Sequence, residues 1–218
     1  MRLRKAIAVT VVGALAAAGA MGTVGCHDDG GPAGGLLRQQ RATASKPSRH
    51  AACGNANVVP DGSPASMRRA EAALRCLLNQ TRIRYRLPLL SANRCLRQAA
   101  LDHASDMVVR AFFAHRTPGG RDPGARAKTA GYAPGDARWV VGENLAWGSA
   151  PNGAPAWVQD NWMRSPAHRA NVLRRSFRDV GVGAVAGAPP RAVRSTRARP
   201  AVTYAAVFGA VSGRRSCR

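Results

Sequence analysis

An α+β fold is predicted from three observations. Helical patterns of apolar residues come first, two strand-like runs come last, and the two kinds of element do not alternate as a βαβ unit requires. No internal repeat interrupts this order. A length of 218 residues allows one substantial domain with tails.

The elements follow in chain order. From Ser66, the residues Met67, Ala70, Leu74, Leu77 and Leu78 are spaced by three and four, which places one apolar stripe on a helix running to about Arg84. Leu87-Pro88 ends it, because the residue before proline is driven out of the helical region. A second helix, from about Asn93 to Ala111, aligns Leu96, Ala99, Ala100, His103 and Met107. Both stripes need a partner layer. Residues 112–156 are broken by Gly and Pro and read as ordered loops and short elements. Pro155 opens a helix through Trp162, and Ser165-Pro166 reads as an N-cap and first helical residue of another through Leu173. DVGVGAVA (179–186) and AVTYAAVFGAV (201–211) read as strands joined by an Arg- and Pro-rich loop.

The N-terminus speaks to compartment. Arg2, Arg4 and Lys5 precede an uncharged apolar run from about Ala6 to Gly25, the pattern of an export leader, so residues 1–25 are set apart from the fold. Ala18-Gly19-Ala20 offers a small-residue cleavage site. Thr23-Val24-Gly25-Cys26 approximates a lipoprotein box, with Thr where Leu is usual, and makes Cys26 a lipidation candidate; an uncleaved anchor is the third outcome. All three export the domain. Residues 26–52 collect Gly, Pro, Ser and charge without apolar periodicity and read as a flexible linker. The domain then spans 53–212, with its core at about 74–209 and a tail at 213–218.

Setting Cys26 aside as a lipid carrier leaves Cys53, Cys76, Cys95 and Cys217, an even number that suits an oxidising compartment. Four cysteines permit three pairings, and their spacing does not choose among them. No CxxC or Cys/His ligand spacing argues for a structural zinc site.

The formal charge is +22, and loss of Arg2, Arg4 and Lys5 with the leader takes it to +19. The basic residues are mostly Arg, with only three Lys, in a chain rich in Ala, Gly and Pro, as a compositional bias in the coding sequence would produce. Aromatic residues make up 5%, too few for base-stacking platforms, so no nucleic-acid partner is expected. The charge should attract anionic wall polymers or lipid head groups in a salt-dependent way. Membrane contact is expected only through a lipid anchor, and the chain is expected to be a monomer.

Three segments hold the residues that could carry chemistry: FFAHRTPGG (112–120) with His115, VGENLAWG (141–148) with Glu143, and SPAHRAN (165–171) with His168. Each residue alone is an ordinary loop or packing side chain. Together, two neutral imidazoles and a carboxylate are what a divalent cation or an activated water asks for. Other attractive residues read as structural. His103 lies on an apolar helix face, the Asn79-Gln80-Thr81 sequon falls within a helix, and Ser165 before Pro166 is a cap rather than a nucleophile. Asp160 is expected to face solvent, and Trp139, Trp147, Trp157 and Trp162 to pack or line a pocket. No GxSxG elbow occurs.

With these residues stand LLNQTR (77–82), LPLLSANRCLRQAALDHASDM (87–107), AGY (130–132), WMRSPAHRANVL (162–173), FRDVGVGA (177–184) and TYAAVFG (203–209). In this order they resemble the CAP superfamily, the SCP-like domains of cysteine-rich secretory proteins, venom antigens and plant pathogenesis-related proteins, in a bacterial, actinobacterial-like form. The resemblance implies an α-β-α sandwich, with a small antiparallel sheet between helical layers and a central cleft. That cleft carries two His and two acidic residues in the family, and in several members the His bind zinc or another divalent cation. Carried over by motif, they are His115, Glu143 and His168. The second acid is missing, since Ser165 stands three residues after Trp162 where it would fall. The resemblance also pairs Cys53 with Cys76, which leaves Cys95 for Cys217.

The expected function is that of an exported protein whose cleft binds a divalent metal through His115, His168 and Glu143, together with a cell-envelope or extracellular ligand. Two alternatives stand beside it. One is a hydrolase in which Glu143, His115 and His168 are catalytic and attack a peptide or ester bond through an activated water. The other is an Arg-rich binding module for anionic envelope polymers or lipids.

Overall fold

The computed structural model of the chain describes residues 7–9, 53–133, 137–189, 201–212 and 217. The linker assigned to 26–52 and the lipidation candidate Cys26 lie outside the described residues. The elements run β1 (Ile7–Val9), α1 (Pro64–Arg84), β2 (Ser91–Ala92), α2 (Arg94–Val109), α3 (Pro123–Thr129), β3 (Trp139–Ser149), α4 (Pro155–Arg164), α5 (Pro166–Leu173), β4 (Asp179–Ala186) and β5 (Ala201–Val211).

Local sequence sets the helix starts. Ser63, Asn93 and Asp122 each accept a hydrogen bond from an amide three residues on, which satisfies one orphan N–H at the start of α1, α2 and α3. Proline opens α1, α3, α4 and α5, where its missing N–H costs nothing and its fixed φ is already helical. Ser165 has the extended backbone of an N-cap, but its side chain makes no capping bond. It also closes α4, donating its own N–H to the Asn161 carbonyl.

Five strands form one sheet in the order β1-β3-β5-β4-β2. β5 is central and antiparallel to both β3 and β4, while the two short edge strands run parallel to their neighbours. The three long strands thus form the small antiparallel sheet the resemblance implied, with a short parallel strand added at each edge. β1 falls within the apolar run read as a leader, so removal of that leader would leave β3 at the edge.

Both faces of the sheet are covered. Tyr204, Ala206 and Phe208 of β5 pack with Met67, Leu74 and Leu78 of α1, Val158 and Trp162 of α4 and Val172 of α5. Ala205 and Val207 point the other way, toward Leu96, Ala100, Ala104 and Met107 of α2 and Ala127 of α3. A strand buried on both faces reads as a continuous apolar run, as 201–211 does. The result is a three-layer α-β-α sandwich.

Two disulfides tie down the ends, Cys53–Cys76 between the segment before α1 and the second half of that helix, and Cys95–Cys217 between the start of α2 and the tail. Asn79, in the sequon, is used internally: its amide donates to the Leu90 carbonyl at 3.0 Å and accepts from the Leu90 N–H at 2.8 Å.

Close approach of α2 to β4 depends on two glycines. A methyl on Gly183 would stand 2.5 Å from the backbone nitrogen of Leu101, and one on Gly181 would overlap the backbone of Leu96 and Arg97. Helix backbone cannot give way as a side-chain tip can. Gly183→Ala should destabilise the protein by about 1–3 kcal/mol, whereas Gly54→Ala, with nothing within 4 Å, should cost well under that. Urea unfolding of the two variants checks the contrast.

Candidate functional site

Glu143 sits in the middle of β3 on the same face as Val141 and Leu145, so its carboxylate enters the layer of α2 and α3 and is 2% exposed. A buried carboxylate needs partners, and it has two strong ones. His115, in the loop after α2, meets Oε1 through Nδ1 at 2.9 Å, and Arg126 of α3 donates from Nη2 to Oε2 at 2.6 Å. Arg126 also donates from Nη1 to the carbonyls of His115 and Arg121, both at 3.0 Å, so one guanidinium holds the carboxylate and the loop that carries the imidazole.

Burial pushes the Glu143 carboxyl toward higher pKa, but the hydrogen bond from His115 and the charge of Arg126 outweigh it and hold the group below the usual glutamate range. The carboxylate is ionised at neutral pH and can only accept, so His115 Nδ1 carries the proton of their bond. In the neutral ring, Nε2 then holds the lone pair.

His168 reaches the same region from the opposite layer, on α5. Its backbone is stitched to β3 by a pair of buried amides. Asn144 donates to the His168 carbonyl at 3.0 Å, while Asn171 donates to the Glu143 carbonyl at 3.1 Å and to Asn144 Oδ1 at 2.9 Å. Gly142 permits this closeness, since a methyl there would meet Asn171 Oδ1 at 2.7 Å. Burial lowers the His168 pKa, and the nearby His115 acts in the same direction, so His168 stays neutral at pH 7 and keeps a lone pair.

His103 is more than a core residue. It is fully buried, its Nε2 bonds the Ala114 carbonyl at 2.9 Å, and the same nitrogen lies 3.9 Å from Glu143 Oε1. Its Nδ1 has no partner among the described residues. Burial, with Arg126 in support, lowers its pKa despite the opposing pull of Glu143. By holding Ala114, it fixes the residue that precedes His115.

The structure joins His115 directly to Glu143, carries His168 on the helix whose backbone is tied to β3 beside them, and adds Arg126, His103, Asn144 and Asn171 as their partners. Arg126 carried no distinguishing signal, being one of 30 arginines. Asp160, expected to face solvent, is half-buried and lines a separate cavity. Trp162 is buried and donates from Nε1 to the Leu145 carbonyl at 3.0 Å, a packing role that also anchors α4 to β3.

The profile of the cysteine-rich secretory protein family, CAP, matches residues 77–194, more than half of the chain. The chain belongs to this family. It is 30% identical over 123 residues to the uncharacterized protein YkwD of Bacillus subtilis, an alignment that covers 56% of this chain and 45% of that protein. An extracellular SCP-domain protein of Bacillus anthracis superposes with a TM-score of 0.51 at 24% identity, over 67% of this chain and 43% of that one. An outer surface protein of Borrelia burgdorferi gives a TM-score of 0.48 at 19% identity, over 66% of this chain and 90% of its own. The chain therefore spans less than half the length of the two Bacillus proteins.

Proposed function

We propose that this is an exported CAP-domain protein whose cleft binds a divalent cation, zinc or a similar ion, through His115 and His168, and there receives a ligand of the cell envelope. The observation that carries the reading is the bond from His115 Nδ1 to a buried, ionised Glu143. An imidazole that gives one N–H to a carboxylate presents the other nitrogen as a ligand, with its tautomer and orientation set in advance. Export is supported by the basic and apolar N-terminus, the two disulfides and the extracellular description of the Bacillus anthracis protein.

Glu143 serves this site from behind. Both of its oxygens are engaged, by His115 and Arg126, so it orients a ligand rather than acting as one. Among the described residues no group of three or more His, Cys, Asp or Glu is gathered to hold an ion. In this reading the ion is held by the two imidazoles, with water or the envelope ligand completing its shell. The chemistry such an ion supplies is an electrophilic anchor for an oxygen of the ligand. As a base in hydrolysis, Glu143 would first have to surrender one of its two bonds, and no other observation favours that reading.

Zinc is expected to raise the thermal midpoint of the purified protein, and the His115→Ala/His168→Ala variant should lose the shift. An equal shift in both would remove the cleft from consideration. Ser165→Glu, which restores an acid at the position where the family carries one, should tighten zinc binding by about tenfold, read by competition with a chromogenic chelator.

A further inference from the structure

A polar cavity of about 190 Å³ opens between the C-terminal turn of α1 and the helices α4 and α5. His115, Glu143 and His168 do not line it, and its walls include Thr81, Arg84, Tyr85, Gln159, Asp160 and Arg169. Two of its features are built in ways that the fold does not require.

Gln159 is 1% exposed, and its side chain uses only one end. Nε2 donates to Thr81 Oγ1 at 2.9 Å, while Oε1 has no partner among the described residues. Turning the amide over does not help, because the Thr81 hydroxyl would then bond the oxygen and strand the nitrogen. A buried amide with one unmatched end is costly unless something else completes it.

Arg169 is held ready. Its guanidinium lies over the Tyr85 ring, 5.1 Å from the centroid, and Nη2 donates to the Tyr85 hydroxyl at 3.1 Å. A planar guanidinium fixed by stacking has already lost most of its rotamer freedom, so pairing with a carboxylate through its remaining donors costs little more. Arg84 lines the same cavity and adds positive charge, while Asp160 adds a carboxylate that accepts hydrogen bonds.

We propose that this cavity is a second ligand site, taking a small carboxylate with an adjacent O–H or N–H donor: the carboxylate pairs with Arg169, and the donor meets the amide of Gln159. The volume suits one sugar ring or a dipeptide end. That chemistry has two sources in an envelope, an acidic sugar or the C-terminus of a peptide, and the site is independent of any metal in the cleft.

Titration of the full chain with D-glucuronate, alanyl-alanine and glucose, followed by the amide and guanidinium resonances of Gln159 and Arg169, tests the assignment. A response to glucuronate alone identifies an acidic glycan, and one to the dipeptide alone a peptide terminus; glucose should give none. Arg169→Gln, at a half-buried position that leaves the core intact, should weaken binding at least tenfold at physiological salt, as should Gln159→Leu. The proposal is overturned if neither carboxylate perturbs these resonances, if glucose binds as tightly, or if Arg169→Gln binds like the parent protein.

Discussion

Arg82→Met is expected to lower the stability of the protein by about 4 kcal/mol, a large share of what a domain of this size has. Arg82 lies on α1 with no exposed surface and pairs with no carboxylate among the described residues. Instead, Nε donates to the Pro88 carbonyl at 2.7 Å, Nη1 to those of Val172 and Arg174 at 2.8 and 3.1 Å, and Nη2 to that of Phe177 at 3.2 Å. Four carbonyls from the turn after α1, the end of α5 and the approach to β4 converge on one guanidinium. Burial, with the nearby charge of Arg178, pushes its pKa down to about 10, which leaves it charged at any ordinary pH. Methionine fills similar volume but strands those carbonyls away from water, at about 1–3 kcal/mol for each one that finds no other partner. Arg82→Lys should recover only part of the loss, because an ammonium cannot reproduce the planar fork. Urea unfolding measures both, and a loss below about 1 kcal/mol for Arg82→Met would show that the carbonyls are satisfied without it.

Glu143→Gln is expected to cost about 3 kcal/mol and to change the acid limb of the stability profile. The substitution leaves the Arg126 charge buried without its counterion, the situation in which breaking one side of an ion pair is most damaging. The pH effect has a fixed sign. Glu143 binds its proton less tightly in the folded chain than in the unfolded one, so its contribution is complete above the ordinary glutamate value and is lost as pH falls through the lower folded value. Stability in the parent protein should therefore decline below about pH 4.5, and that decline should be shallower in Glu143→Gln. His103 and His168 act at higher pH. Their folded pKa values are also lowered, so acidification from pH 7 toward about pH 5 protonates them first in the unfolded chain and weakens the fold in both proteins. Thermal midpoints between about pH 3 and pH 7.5 separate the two limbs.

The framework of the fold was legible because its signals are local. The stripe Met67, Ala70, Leu74, Leu77 and Leu78 lies on α1, Asn93 caps α2, and the runs 179–186 and 201–211 are β4 and β5 to the residue. β3 was hidden in a stretch read as loops. Gly142, Glu143, Asn144 and Gly148 interrupt its apolar pattern, yet each has a reason that lies elsewhere in the chain. Gly142 makes room for Asn171, and Gly148 for the backbone of Asn152. Glu143 and Asn144 meet partners on α3, on α5 and in the loop after α2. Polar residues in a buried strand cannot be told from loop residues until those partners are in place.

The same holds for the site. His115, Glu143 and His168 stood out because their residue types carry chemistry, but the sequence left the role of Glu143 open between ligand and support. Arg126, which donates to Glu143 Oε2, is what the proposed supporting role rests on, and nothing in RDPGARAKT marked that arginine. Likewise His103 was placed on an apolar helix face, where it does lie, but its contact with the Ala114 carbonyl spans a turn that helical periodicity does not describe.

The most direct measurement is a zinc titration of the full chain followed by the imidazole nitrogen resonances of its five histidines. The proposed site predicts that His115 and His168 respond together and saturate at one equivalent, with zinc on His115 Nε2 while Nδ1 keeps its proton for Glu143. Zinc taken up by His27 and His50 alone, with His115 and His168 unmoved, would contradict it.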